Sequence, residues 1–282
     1  MQALHSIEEC IRWRMSKGGS VGFVPTMGAL HEGHLSLVKI SKKQCDNTIV
    51  SIFINPTQFS PDEDFSAYPK TLDQDLKHLK KEGVDAVFMP AANELYKDKE
   101  NECFFDTPLA LKLEGASRPH FFKGVTMVVN KLFNIINPTH TVFGQKDAQQ
   151  LLIIKHMIHD KNLSIELVSG TTVRDKNGLA LSSRNSYLST ENQKIASNIY
   201  KGLLTIKSLL DSGIDRVSEL KQNFKDSLNA FPELKIDYIS IACADSLDEL
   251  EIVDRKALIS TAVFFNKVRL IDNIAFVPEQ LG

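Results

Sequence analysis

The sequence predicts an α/β protein: a parallel sheet covered by helices on both faces, followed by a smaller α+β region. Three observations carry this. From Val21 to about Ser169, short apolar segments alternate with stretches of helical periodicity, the pattern of βαβ units. The run Val21-Gly22-Phe23-Val24 feeds a Gly-containing turn that opens a helix. After about Gly170 the alternation stops, and two helical stretches are followed by β-rich runs joined by short polar turns.

The elements follow in order. Ile7 to Met15 reads as a short amphipathic helix, because Glu8, Glu9, Arg12 and Arg14 interrupt any apolar core of an export signal. Leu35, Leu37, Val38 and Ile40 recur with helical spacing after the first strand, with Lys39, Lys42 and Lys43 among and after them. Thr48 to Ile54 is an apolar, β-branched strand ending at Asn55-Pro56. Thr71 to Glu82 predicts a helix with Leu72, Leu76 and Leu79 on one face. Ala86 to Met89 is a short strand stopped by Pro90. Val125 to Ile136 predicts a buried helix, Thr141 to Phe143 a strand, Ala148 to His159 a helix and Ile165 to Val168 a strand. Beyond the boundary, Glu191 to Leu210 and Val217 to Leu228 predict two helices with Gly213 between them. Ile236 to Ala242, Ala257 to Phe265 and Lys267 to Phe276 predict antiparallel strands.

Bulk properties narrow the function classes. The chain has 282 residues, 33 basic against 35 acidic, for a net charge of −2. That balance argues against a protein living on nucleic acid, which carries a basic excess, but leaves room for a local anion pocket. No apolar run approaches the ~20 residues a membrane helix needs. The four cysteines, Cys10, Cys45, Cys103 and Cys243, form no C-x-x-C pair and read as reduced, buried thiols of a cytoplasmic protein.

The chemistry is concentrated where strands end, the edge at which open parallel sheets bind ligands. After the first strand stands Pro25-Thr26-Met27-Gly28-Ala29-Leu30-His31-Glu32-Gly33-His34. A helix N-terminus offers unpaired N–H groups and the positive end of a dipole to phosphate, and histidines there can donate to phosphoryl oxygens. The same pair also fits ordinary helix capping. A zinc site fits less well, since zinc takes three or four ligands and no nearby Cys or His cluster supplies them. After the second strand, Asn55-Pro56-Thr57-Gln58-Phe59 offers neutral amides suited to hydroxyls, though Asn-Pro is also a common loop initiator. Phe143-Gly144-Gln145-Lys146-Asp147-Ala148-Gln149-Gln150 combines a small residue, a compact positive charge and a helix-capping acid, or is simply a helix start with solvated charges. Val173 to Asn185 contains the turn Asn177-Gly178 and then Leu181-Ser182-Ser183-Arg184, hydroxyls beside a guanidinium, fit for polyphosphate or for an ordinary Ser-rich turn.

His31-x-Gly33-His34 in its strand–turn–helix setting resembles the nucleotide-binding signature of the adenylyl-transferring Rossmann-type superfamily, which includes the class I aminoacyl-tRNA synthetases. The joint pattern is more specific. Pro25 to His34, Asn55-Pro56-Thr57-Gln58-Phe59, Phe143-Gly144-x-Lys146-Asp147-x-Gln149-Gln150, Gly178-Leu179-Ala180-Leu181-Ser182-Ser183-Arg184-Asn185 and Arg269-Leu270-Ile271-Asp272-Asn273 resemble the pantothenate synthetase (pantoate–β-alanine ligase) family, in family order over nearly the full chain.

The resemblance implies a Rossmann-type parallel-sheet domain binding ATP and pantoate over residues 1–170, and a smaller α+β C-terminal domain over 171–282 that covers the active site. It implies ATP-dependent condensation of pantoate with β-alanine through a pantoyl adenylate, giving pantothenate, AMP and diphosphate. His31 and His34 would meet the phosphates, with His34 the proton donor and Lys146 the third catalytic group. Met27, Gly28, Ala29, Leu30, His31, Glu32, Gly33 and His34 would line the nucleotide with Gly144, Gln145, Lys146 and Asp147. Val173, Leu181, Ser182, Ser183 and Arg184 would complete that site. Gln58, Gln150 and Asn55 would hold pantoate, with Gln58 also near β-alanine. Magnesium is expected with ATP, without a dedicated protein cage, and the family is usually a homodimer acting on small molecules, without nucleic acid or membrane. Two departures stand out: Ser117-Arg118-Pro119 leads into His120-Phe121-Phe122 where the family has Gly-His-Phe, and Gln145 stands where a charged residue is common. The alternatives are another adenylyl transferase of the same superfamily and a tRNA-binding module. The first would need an anion site for a phosphorylated acceptor instead of Gln58 and Gln150. The second would need basic charge and an anticodon-type domain.

Overall fold

In the computed structural model, which describes residues 1–60, 63–97 and 104–278, the alternation becomes a run of strands and covering helices. In order these are β1 Gln2–Leu4, α1 Ile7–Met15, β2 Val21–Thr26, α2 Glu32–Gln44, β3 Asn47–Ile52, α3 Leu72–Lys81 and β4 Ala86–Phe88. Next come α4 Ala92–Leu95, α5 Glu114–Ser117, α6 Phe121–Ile136, β5 His140–Gly144, α7 Ala148–Asp160 and β6 Glu166–Gly170. Six strands pair in the order β1-β4-β3-β2-β5-β6, every pair parallel. The interior strands are buried on both faces, which is why β2 and β3 read as continuous apolar runs. Leaving β2, the chain builds β3 and then β4 to one side; it returns to place β5 against the other side of β2 and moves outward to β6. The order therefore reverses between β2 and β5, and the crevice outside their carboxyl ends is where such sheets bind ligands. On one face, Leu35 and Val38 of α2 and Leu79 of α3 pack with Val24, Val50, Val87 and Val142.

The second compact unit comprises Val173–Gly282 together with Lys146–Ala148, the first unit being Met1–Gln145 and Gln149–Thr172. It holds α8 Thr190–Ala196, α9 Asn198–Asp211, α10 Val217–Leu228 and the strands β7 Leu234–Cys243, β8 Ala257–Phe265 and β9 Val268–Phe276. The strands form an antiparallel sheet in the order β7-β8-β9. Ile199, Leu203 and Ile206 of α9 and Leu220 and Phe224 of α10 pack in one core with Ile241, Ile259 and Val263 of that sheet. Among the described residues no helix is long and apolar enough to cross a membrane.

Several elements depart from the sequence expectation for identifiable reasons. The helix expected over Glu191 to Leu210 is two, divided at Ser197. There the Ser197 hydroxyl donates to the Lys194 carbonyl at 2.7 Å and the Asn198 amide to the Ile195 carbonyl at 2.8 Å, side-chain bonds that compete with the helical ladder. β1 has no counterpart in the sequence reading; three residues at a sheet edge are too few to show a period. The second strand stops at Ile52, two residues before its expected end. On α3 the buried positions are Asp75 and Leu79, whereas Leu72 is 45% exposed. Of the cysteines, Cys10 is buried while Cys45 and Cys243 are only partly covered; Cys103 lies outside the described residues.

Candidate active site

The turn after β2 is built by backbone conformations that few sequences accept. Gly28 has φ 81° and Ala29 φ 49°, two successive residues in the left-handed region, where an L-residue other than glycine costs roughly 1–2 kcal/mol. Asp75 of α3 holds this turn. Its Oδ2 accepts the Ala29 N–H at 3.0 Å, and its Oδ1 accepts the Leu30 N–H at 2.9 Å and the Thr71 hydroxyl at 3.1 Å. At the base of the turn the Thr26 hydroxyl donates to the Ser51 carbonyl at 2.7 Å and accepts the Gly28 N–H at 3.2 Å.

The turn delivers His31 as the N-cap of α2. His31 Nδ1 accepts the Gly33 N–H at 3.1 Å, and the His31 N–H donates to His34 Nδ1 at 3.3 Å, a capping box made from two histidines. Their rings lie 4.1 Å apart, centroid to centroid. Because each Nδ1 is an acceptor, the ring proton of each neutral imidazole sits on Nε2. The pair thus carries two N–H donors at the positive end of a thirteen-residue helix, an arrangement that complements phosphate.

The turn after β3 carries the expected amides in different roles. Asn55 is fully buried. Its Oδ1 accepts the Tyr96 hydroxyl at 2.6 Å, the Thr57 hydroxyl at 3.0 Å and the Thr57 N–H at 3.3 Å. Its Nδ2 donates to Gln58 Oε1 at 3.0 Å and to the Gly124 carbonyl at 3.1 Å. Asn55 therefore fixes which end of the Gln58 amide faces inward and leaves the Gln58 NH2 as the presented donor. Gly124 of α6 is required here, because a Cβ would lie 2.2 Å from the Thr57 carbonyl oxygen and 2.9 Å from the Gln58 nitrogen.

The segment that departs from the family pattern braces the same turn. Arg118 forms a bidentate pair with Glu63, Nε to Oε1 at 2.6 Å and Nη2 to Oε2 at 2.7 Å, and donates to the Gln58 carbonyl at 3.2 Å. Its guanidinium stacks over Phe121, 3.9 Å from the ring centroid.

After β5, Gly144 and Gln145 stand at the same carboxyl edge as the turns after β2 and β3, and half-buried Gln150 lies in the first turn of α7. The neighbouring Gln149 is turned to structure: it donates to the Leu109 and Lys112 carbonyls, both at 2.7 Å, and accepts the Glu114 N–H at 3.0 Å.

Lys146, Asp147, Val173, Leu181, Ser182, Ser183 and Arg184 all belong to the second unit. There the Leu181 N–H donates to the Val173 carbonyl and the Asp175 N–H to the Leu179 carbonyl, both at 2.9 Å, closing a hairpin over the turn at Asn177-Gly178. Arg174 braces that hairpin, with Nη1 3.1 Å from the Gly178 carbonyl and the guanidinium 3.4 Å over the Tyr200 ring. Ser182 caps the following 3-10 turn by accepting the Arg184 N–H at 3.3 Å. Lys146 Nζ lies 3.4 Å from Asp147 Oδ1.

The structure thus gathers Met27 to His34, Asn55, Gln58, Gly144, Gln145 and Gln150 along one edge of the first unit, and the remaining candidates in the second. Sequence reasoning missed Asp75, Glu63 and Tyr96, and of Arg118 it saw only the motif Ser117-Arg118-Pro119 ahead of the departure, with no role for it. Asp75 left a trace as an acid on the otherwise apolar side of α3 with Leu76 and Leu79.

The comparisons agree with this architecture. The family model for pantoate–β-alanine ligase matches residues 1–275. A pantothenate synthetase from Thermosipho africanus is 48% identical over 97% of this chain and 99% of its own. A crystal structure of pantothenate synthetase from Thermus thermophilus superposes with a TM-score of 0.92 at 38% identity, covering 97% of this chain and 99% of that one. A pantoate–β-alanine ligase from Francisella tularensis, complexed with β,γ-ATP and β-alanine, superposes with a TM-score of 0.81 at 35% identity, covering 99% and 98%.

Proposed function

The chain belongs to the pantoate–β-alanine ligase family, and from that premise we propose how its residues carry the reaction. It is an ATP-dependent ligase that joins pantoate to β-alanine in pantothenate biosynthesis. A carboxylate is a poor acyl donor, so one pantoate oxygen first attacks the α-phosphorus of ATP. The α-phosphorus–bridging-oxygen bond breaks, pyrophosphate leaves, and pantoyl adenylate forms. The β-alanine amine then attacks the activated carbonyl; the carbon–oxygen bond to AMP breaks, and the amine gives up a proton as the amide forms. No covalent enzyme intermediate is needed, so positioning and charge stabilisation carry the rate.

The observation that supports this reading is the His31–His34 cap at the N-terminus of α2, beside the point where the strand order reverses. In it the Nε2–H groups of His31 and His34 donate hydrogen bonds to phosphoryl oxygens, with His34 at the position to which the family resemblance assigns the proton donor. Met27 to His34, Gly144 to Asp147, Val173 and Leu181 line the nucleotide. Lys146, Ser182, Ser183 and Arg184 balance the charge of the leaving pyrophosphate. Gln58 and Gln150 hold the pantoate hydroxyls, Gln58 also meets β-alanine, and Asn55 serves the pocket by orienting Gln58. The departures at Gln145 and at His120-Phe121 leave these roles in place, since Gln145 can serve through its backbone and Arg118 braces Gln58 with Phe121 as its stacking partner.

Magnesium enters with ATP in this reading. The ion would be held mainly by phosphates and water. The enzyme works in the cytoplasm as a homodimer, with a nucleotide- and pantoate-binding domain over 1–170 and a covering domain over 171–282. Pantoate labelled with heavy oxygen in its carboxylate tests the route: one labelled oxygen must end in AMP. Label in inorganic phosphate, with ADP as product, would mean an acyl phosphate and overturn the adenylate.

A further inference from the structure

Arg269-Leu270-Ile271-Asp272-Asn273 lies in β9, and the roles assigned above use none of it. Two consecutive residues of this strand nevertheless hold parts of the candidate site. Asp272 is buried and takes the Arg174 guanidinium in a bidentate pair, Nη1 to Oδ2 at 2.6 Å and Nη2 to Oδ1 at 2.8 Å. Arg174 in turn holds the hairpin that runs from Val173 to Leu181. Asn273 donates through Nδ2 to the Lys146 carbonyl at 2.8 Å, while its own N–H is turned onto Asp272 Oδ1 at 2.7 Å. Adjacent strand residues project to opposite faces, so β9 grips the hairpin from one side and the lysine segment from the other. This accounts for the grouping of Lys146–Ala148 with Val173–Gly282, although its chain neighbours on both sides belong to the first unit.

We infer that Asn273 is a positioning residue for the reaction: its side-chain amide fixes the backbone at Lys146, so that the lysine and the Val173–Arg184 segment are set by one strand. The inference rests on the reading of Lys146 as a pyrophosphate-charge partner. A lysine ammonium is a compact charge on a flexible stem. Holding its backbone carbonyl sets the Cα and narrows where Nζ can reach. Asp272 does the same for the serines and Arg184 through Arg174. The consequence is specific to one half of the reaction, because pyrophosphate is present when the adenylate forms and gone when β-alanine attacks.

Two rates separate the halves: pantoate-dependent exchange of pyrophosphate into ATP, and amide formation from β-alanine and chemically prepared pantoyl adenylate. Asn273→Asp keeps the side-chain size but replaces the donor with an acceptor facing a carbonyl. Exchange should fall about 10- to 100-fold, the range for losing one buried hydrogen bond and the alignment it holds. Amide formation from the prepared adenylate should stay at the wild-type rate. Asn273→Ala, which adds no charge, must show the same split if the aspartate variant fails to fold. In a Lys146→Ala background the Asn273 substitution should cost little more, because residues acting as one unit are not additive. Equal loss in both halves, or full multiplication of the losses in the double variant, would make Asn273 a general structural residue and overturn the inference. Exchange lost in Lys146→Ala but normal in both Asn273 variants overturns the clasp alone. Normal exchange in Lys146→Ala overturns the reading of the lysine, and the clasp with it.

Discussion

Replacing Asp75 should disable the ligase without touching a residue assigned to substrate. Its carboxylate holds the Ala29 and Leu30 N–H groups at 3.0 and 2.9 Å, and only one percent of the residue is exposed. In Asp75→Ala the Leu30 N–H loses its acceptor in a buried position, and the Ala29 N–H loses a charged partner in a half-buried one. Each such loss costs about 1–3 kcal/mol, with part regained because no carboxylate remains to be desolvated. A net loss of about 2–3 kcal/mol lowers the melting temperature of a chain this long by roughly 3–5 °C. Function should suffer more than stability. Ala29 is held at φ 49°, and relaxing it moves His31 and His34; misplacement on the order of 1 Å can cost ~100-fold in rate. Asp75→Asn is the sharper variant, since either orientation of the new amide turns an NH2 toward one of the two N–H groups. Calorimetry and pyrophosphate exchange per folded molecule read the two effects. An Asp75→Asn protein with wild-type melting and wild-type exchange would falsify the claim that this carboxylate holds the turn.

His34→Ala and Lys146→Ala should each slow adenylate formation ~100- to 1,000-fold, the range for losing one preorganised donor, with melting temperature nearly unchanged; a large melting shift with normal turnover would make both residues structural. Gln150→Ala should raise the KM for pantoate or lower its kcat/KM at least ~10-fold while ATP use stays normal, and should discriminate less against deoxy analogues; equal losses for ATP and pantoate would place the pantoate pocket elsewhere. Gly124→Ala puts a Cβ 2.2 Å from the Thr57 carbonyl oxygen. It should destabilise by ~1–3 kcal/mol and weaken pantoate use through Gln58; unchanged denaturant midpoint and pantoate KM would refute that close approach. Burial pushes the Cys10 thiol up to about 12, whereas the Asp245 and Ser246 N–H groups lower that of Cys243. A thiol reagent at mildly alkaline pH should therefore modify Cys243 well before Cys10, as peptide mapping by mass spectrometry would show; the reverse order would contradict these environments.

What the sequence disclosed and what it hid divide along a physical line. Strands buried on both faces advertise themselves as apolar runs, so β2, β3 and β5 were legible, and with them the edge where His31, Gln58 and Gly144 stand. Local chemistry was legible too, because His31 and His34 are three residues apart and cap one helix turn. The supports were not. Asp75 lies 45 and 46 residues from the N–H groups it holds, Arg118 lies 60 from the Gln58 carbonyl, and Asn273 lies 127 from Lys146. No period or motif links such partners, since only the folded chain brings them together. Asn55 shows the converse case: its residue type and its place after a strand suggested a substrate contact, yet its amide is turned inward onto Gln58, Thr57, Tyr96 and Gly124. A polar residue at a ligand-binding edge can meet the ligand or hold the residue that does. Composition and position are the same in both cases, and burial with saturated hydrogen bonding separates them. By that measure Asn55 is the mount and Gln58 the presented amide; with Gln58 proposed as the reader of pantoate hydroxyls, Asn55→Ala should impair pantoate use through the altered orientation of Gln58.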